Sequence, residues 1–86
     1  MKNLEILNIS NVGKVQSLAP LIHLKKLKAL ACFGDTNIVD GDLSYLEKLP
    51  QLALLGCPDR RHYTHKVIRE WNWKNIDQPD ILIKKK

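Results

Sequence analysis

Several features that small proteins often rely on are missing from this sequence. It has two cysteines, too few for a disulfide framework. No run of about 18 apolar residues occurs, so no membrane-spanning helix is expected. Met1 and Lys2 lead straight into Asn3, Leu4 and Glu5, without the apolar stretch of a secretory leader. There is no glycine-rich phosphate loop. No serine or cysteine sits in a nucleophile context, and no oxyanion loop is evident. No low-complexity linker divides the chain. These absences point to one cytoplasmic domain with reduced thiols, no cofactor and no catalytic activity.

What is present describes a folded domain. The chain has 86 residues, 44% of them apolar and 27% charged, which argues against disorder. A chain of this length buries only about 60% of its unfolded surface, so stability is thin unless its apolar edges are covered. Fourteen Lys and Arg against nine Asp and Glu give a net charge of +5.

A repeat sets the architecture. Leu18, Leu21, Leu24, Leu27, Leu30 and Cys32 recur 25 residues later as Leu43, Leu46, Leu49, Leu52, Leu55 and Cys57. A half-row of Leu4, Leu7 and Ile9 lies 23 residues before Leu27, Leu30 and Cys32. Within each row the leucines first come every three residues, the spacing that aligns on one face of a 3-10 helix. The period then drops to two, which marks a strand with one buried face. Alternating strand and helical turn predicts an α/β arrangement of parallel strands with helical segments on one side. Each unit carries one apolar stripe, so neighbours must stack to bury it.

Leu4-x-x-Leu7-x-Ile9, Leu27-x-x-Leu30-x-Cys32 and Leu52-x-x-Leu55-x-Cys57 resemble the leucine-rich repeat family, in its short bacterial, internalin-like form. Asn37, Ile38, Asp40 and Leu43 echo the ascending loop of that form. The resemblance covers residues 4–58, about two and a half repeats. It implies a short curved solenoid with a parallel sheet on the concave face, a fold used mostly for binding proteins. Val12 and Asp35 stand where the family's ladder asparagine is usual. The second loop is two residues longer than the first. No capping segment precedes the first repeat, as expected for the last part of a longer array or a chain capped by a partner.

Residues 59–86 break the period. Pro58 and Asp59 end the last strand, and Thr64 is a candidate helix N-cap. Val67, Ile68 and Trp71 then recur at helical spacing, predicting a cap helix over 65–73 that closes the last repeat. Residues 81–83 are a candidate strand or frayed end before Lys84, Lys85 and Lys86. The domain therefore divides into repeats over 1–58 and a cap with a basic tail over 59–86.

The chemical candidates have structural readings. Cys32, Cys57, His62 and His65 include zinc-ligand types, but both cysteines take the inward slot that Ile9 fills, so they are expected in the core. Asp35, Asn37, Asp40, Gly41 and Asp42 fail the calcium-loop pattern, whose sixth position must be glycine and twelfth glutamate. Asp42 is expected to cap the following turn instead.

The outward strand positions are more telling. They are Ile6, Asn8 and Ser10; Ala29, Ala31 and Phe33; Leu54, Gly56 and Pro58. None is charged, and a solvated sheet face would carry polar side chains. The expected function is non-catalytic protein binding through Ile6, Asn8, Ala29, Ala31, Phe33 and Leu54. The competing reading is that the C-terminal tail, residues 79–86, folds across this face, or that a dimer buries it. The alternative function is a nucleic-acid accessory role for Lys25, Lys26, Arg60, Arg61, Lys84, Lys85 and Lys86. Self-association is also expected, because strand 4–9 has an open edge. A homodimer on that edge, the concave face or both would bury about 1,200 Å² or more.

Overall fold

The computed structural model describes residues 3–86; Met1 and Lys2, which open the first segment, lie outside them. Three strands, β1 (Ile6–Asn8), β3 (Ala29–Ala31) and β5 (Leu54–Gly56), form a parallel sheet in that order. Two shorter strands, β2 (Lys14–Val15) and β4 (Asn37–Ile38), form a second parallel pair. The registers follow the sequence offsets. Leu7 pairs with Leu30 and Leu30 with Leu55, so equivalent leucines lie side by side and point to one core.

The leucine triplets form 3-10 helices, η1 (Ala19–His23) and η2 (Ser44–Lys48). Backbone bonds from Leu21 to Leu18, Leu24 to Leu21 and Leu27 to Leu24 close successive three-residue turns, as do those from Leu46, Leu49 and Leu52. A three-residue period keeps every leucine on the inner face of such a turn. Ser17 Oγ accepts from Ala19 N–H and Asp42 Oδ1 from Ser44 N–H. These residues occupy the same place in successive units and satisfy an orphan donor at each turn. Between the first two loops, polar side chains take over the ladder. Asn11 Oδ1 accepts from Asp35 N–H, Asp35 Oδ1 from Gly13 N–H, and Thr36 Oγ1 donates to the Ile9 carbonyl. Gly34 is fixed here: its φ is +76°, and a Cβ would lie 1.7 Å from Asn11 Oδ1.

The C-terminal part differs from expectation. Among the described residues there is no α-helix. Residues 65–73 do not form a cap helix; His65–Val67 is a strand, β6, paired antiparallel with β7 (Ile83–Lys85). The third 3-10 turn, η3 (Trp73–Asn75), follows later and is capped by Asn72. Val67 faces Ile83 across the pair, and Leu82 and Ile83 join the core. That pairing gives Val67 both a ladder and an apolar neighbour, which an isolated nine-residue helix lacks. No helix among the described residues is long and apolar enough to cross a membrane.

Candidate interaction surface

The three parallel strands place Ile6, Ala29 and Leu54 in one row of the sheet, and Asn8, Ala31 and Gly56 in another. Ile6, Asn8 and Phe33 are exposed, Ile6 at 48% and Phe33 at 44%. Ala29, Ala31 and Leu54 are buried, contrary to the expectation that all six face solvent. Beside them runs a strap formed by residues 69–79, tied to Phe33, Lys28 and the Ala53 carbonyl. Trp71 meets Phe33 edge-on at 5.6 Å between ring centroids, and Trp73 meets Trp71 at 5.1 Å. At the other end of the strands, Lys28 Nζ donates to Asp77 at 2.8 Å and pairs with Glu5 at 3.1 Å. Arg69 Nη1 closes the strap on itself by donating to the Gln78 carbonyl at 2.7 Å.

Small residues make this cover possible. Ala29 and Ala31 leave depth beneath it. Phe33 folds back over Gly56, where a Cβ would sit 2.1 Å from the ring. The two acidic neighbours of Lys28 raise its pKa, with Asp77 the larger cause and Glu5 the next. The strap is thus held by an aromatic cluster and exposed ion pairs, without a backbone ladder to the sheet.

The two ends of the stack are finished differently. In the second unit Leu27, Leu30, Cys32, Ile38, Leu46 and Leu49 are all buried. Their counterparts one unit earlier, Leu4, Leu7, Ile9, Val15, Leu21 and Leu24, are only half-buried. The far end is closed. Leu82 and Ile83 pack on the core beside Leu46, Leu49 and Leu52, leaving a cleft of about 280 Å³ rimmed by Glu47 and Asp80. The edge of β4 is closed by side chains. Ile38 N–H donates to Tyr63 Oη at 3.1 Å, and His62 Nε2–H donates to the Ile38 carbonyl at 2.8 Å. Arg60 Nη2 donates to the Thr36 carbonyl at 3.1 Å.

The remaining chemical candidates are dispersed. Cys32 and Cys57 are buried, unbridged neighbours in the core. A hydrogen bond with Cys57, with burial second, raises the Cys32 pKa. The same bond, aided by Tyr63, lowers that of Cys57. His62 is turned to Ile38, whereas His65 pairs with Glu47 at 3.1 Å and with Thr64 Oγ1. Asp35 accepts a backbone bond from Gly13 in the preceding loop, and Asp42 accepts one from Ser44 within its own. Of the basic residues, Arg60 is spent on backbone carbonyls and Lys86 pairs with Asp59 at 2.7 Å. Lys84 and Lys85 lie in β7, and Lys84 stands directly across from Lys66. Lys25, Lys26 and Arg61 are exposed. Compared with protein-family models, curated proteins and solved structures, the chain has no significant match.

Proposed function

We propose that the chain is a short leucine-rich repeat solenoid that serves as a non-catalytic protein-interaction module. The period of the leucine rows and the side-by-side registers of Leu7, Leu30 and Leu55 support the repeat reading. One observation carries the functional reading. The first unit leaves six core positions half-buried beside exposed Ile6, whereas the second unit buries all six equivalents. Apolar surface of this kind is favourable to remove from water, and a second protein is what removes it. The binding surface is therefore the open end of the first unit with Ile6 and Asn8, bordered by Phe33. Ala29, Ala31 and Leu54 contribute from beneath, as the seat of the strap.

The test is photo-crosslinking in cells, with a reactive side chain at position 6 or 33 and a control at position 84. Protein adducts at positions 6 and 33, absent at 84, are expected. No adduct at either position overturns the reading.

A second reading rests on the C-terminal hairpin. Lys66 and Lys84 are exposed and opposed, an arrangement that destabilises a strand pair unless an anion relieves it. Residues 59–86 hold eight cations against four anions. A nucleic-acid backbone would suit this face, and such binding would weaken steeply with salt. Binding through the open end would not. Lys66→Gln with Lys84→Gln should abolish nucleic-acid retention at low salt if this reading holds. Equal retention by the double variant overturns it.

A further inference from the structure

We infer that the partner at the open end is a second copy of this chain, joined by antiparallel pairing of β1 with its own equivalent about a two-fold axis at Leu7. This rests on the interaction reading above and names its partner. Ile9 N–H donates to the Ala31 carbonyl, and the Glu5 carbonyl accepts from Ala29 N–H. Residues 5, 7 and 9 therefore turn their polar groups toward β3. By the alternation of an extended strand, the N–H and carbonyl groups of Ile6 and Asn8 point away, to the open edge. Asn8 has a second tie, since its side-chain Oδ1 takes up the Ser10 N–H. The free edge is thus limited to two residues, one on each side of Leu7.

That pattern is self-complementary. Placed antiparallel about Leu7, Ile6 of one copy faces Asn8 of the other. Each such pair exchanges two N–H to carbonyl bonds, which gives four in all. Leu7 then meets its own equivalent at the centre, where side chains approach most closely. The half-buried Leu4, Ile9, Val15, Leu21 and Leu24 of the two ends come together around it. An isologous contact of this kind closes after two copies and leaves no further open β1 edge.

The molecule measures 30 × 26 × 21 Å, so its smallest cross-section is 26 × 21 Å, or roughly 550 Å². Two such faces in contact bury at most about 1,100 Å² in total, just under the roughly 1,200 Å² at which standard stable interfaces begin, so the dimer is a weak, concentration-dependent one.

Sedimentation at graded concentration up to about 100 µM, with amide exchange at Ile6 and Asn8, tests this. A dimer is expected, with both amides protected more strongly as concentration rises. Ile6→Pro removes an N–H that no intrachain carbonyl uses, a change an edge strand tolerates, together with the exposed Ile6 side chain. It should raise the dimer Kd roughly thirtyfold, from two lost bonds, with the monomer's melting curve unchanged. Should Ile6→Pro misfold, Ile6→Lys keeps the N–H and sets like charges across the axis, again weakening the dimer. A folded wild-type monomer at the highest concentration, with both amides exchanging freely, overturns the inference. So does a dimer indifferent to both folded variants. Either result leaves the interaction reading to its own crosslinks: a foreign adduct at position 6 sustains that reading, and no adduct ends both.

Discussion

Leu7 and Leu30 are the same residue at the same place in successive units, paired in register, yet only Leu30 is fully buried. The difference lies in what stacks on each. Leu30 has Leu7 on one side and Leu55 on the other. Leu7 has a neighbour on one side only. At the opposite end, Leu55 is also terminal in the sheet but is 2% exposed, because the C-terminal residues close that end with Tyr63, Leu82 and Ile83. One end of the stack is thus closed, and the other keeps its inward positions half-buried. Burial in the stack is a property of neighbours, with sequence position within the unit only setting the direction a side chain points.

The largest expected effect breaks this comparison directly. Leu30→Ala should cost about 2–5 kcal/mol in urea unfolding, since a cavity forms between two rows. Leu7→Ala should cost about half of that at low concentration, where its outer side meets water. Equal losses would mean that the open end is covered in solution, and a gap that closes with rising protein concentration would locate the cover in a second copy.

The next effect concerns the strap. Trp71→Ala removes the ring that bridges Phe33 and Trp73, and about 1–3 kcal/mol should be lost for so large a half-buried aromatic. Ala29, Ala31 and Leu54 would then be uncovered, which dye binding to exposed apolar surface should report. Gly56→Ala attacks the same seat from below, by pushing against the Phe33 ring. If Trp71→Ala neither destabilises the fold nor raises dye binding, the strap is not what buries the face. Lys28 adds a pH arm. Its folded pKa is raised, so its contribution is complete below the ordinary lysine value and is lost as pH rises through the folded one.

How much of this was legible follows from the range of the contacts. Strand registers follow from offsets of 23 and 25 residues, because stacked units repeat the same inward positions, and the three-residue leucine spacing marks a short helical or 3-10 segment. The core placement of Cys32 and Cys57 followed from Ile9 for the same reason. The strap and hairpin were not legible as built. Val67, Ile68 and Trp71 recur at helical spacing, but Val67 is claimed by Ile83, sixteen residues on, and Trp71 by Phe33. Local periodicity carries no information about such distant partners. The alternation of buried His65, exposed Lys66 and inward Val67 was the available strand signal. Ala29, Ala31 and Gly56 were the signal for the strap: small residues in a row beneath a large one mark close approach of another segment.

A smaller effect separates the thiols. Both should react slowly with a thiol reagent in native buffer, because both are buried. Cys57 should be labelled first, being the more exposed of the two. Rapid labelling of Cys32 ahead of Cys57 would show that the open end admits solvent to the core before the closed end does.

The smallest expected effect compares the caps of the two turns. Ser17 and Asp42 hold the same position, and each accepts from the N–H two residues on. Replacing either by alanine leaves that donor to water and should cost about 0.5–1 kcal/mol. Only Asp42 titrates. Its hydrogen bonds from the Ser44 hydroxyl and N–H lower its pKa, so the folded state favours the ionised form. The contribution is present above the ordinary carboxylate range and is lost as pH falls through the lowered value. Because the group is half-exposed, solvent screening keeps this loss small. Urea unfolding at neutral pH and again in acid should therefore show the Ser17→Ala penalty unchanged and the Asp42→Ala penalty shrinking. A penalty at Asp42 that persists in acid would show that the protonated carboxyl still accepts from Ser44. The two turns would then be capped by the same hydrogen-bond geometry, with charge adding nothing at the closed end.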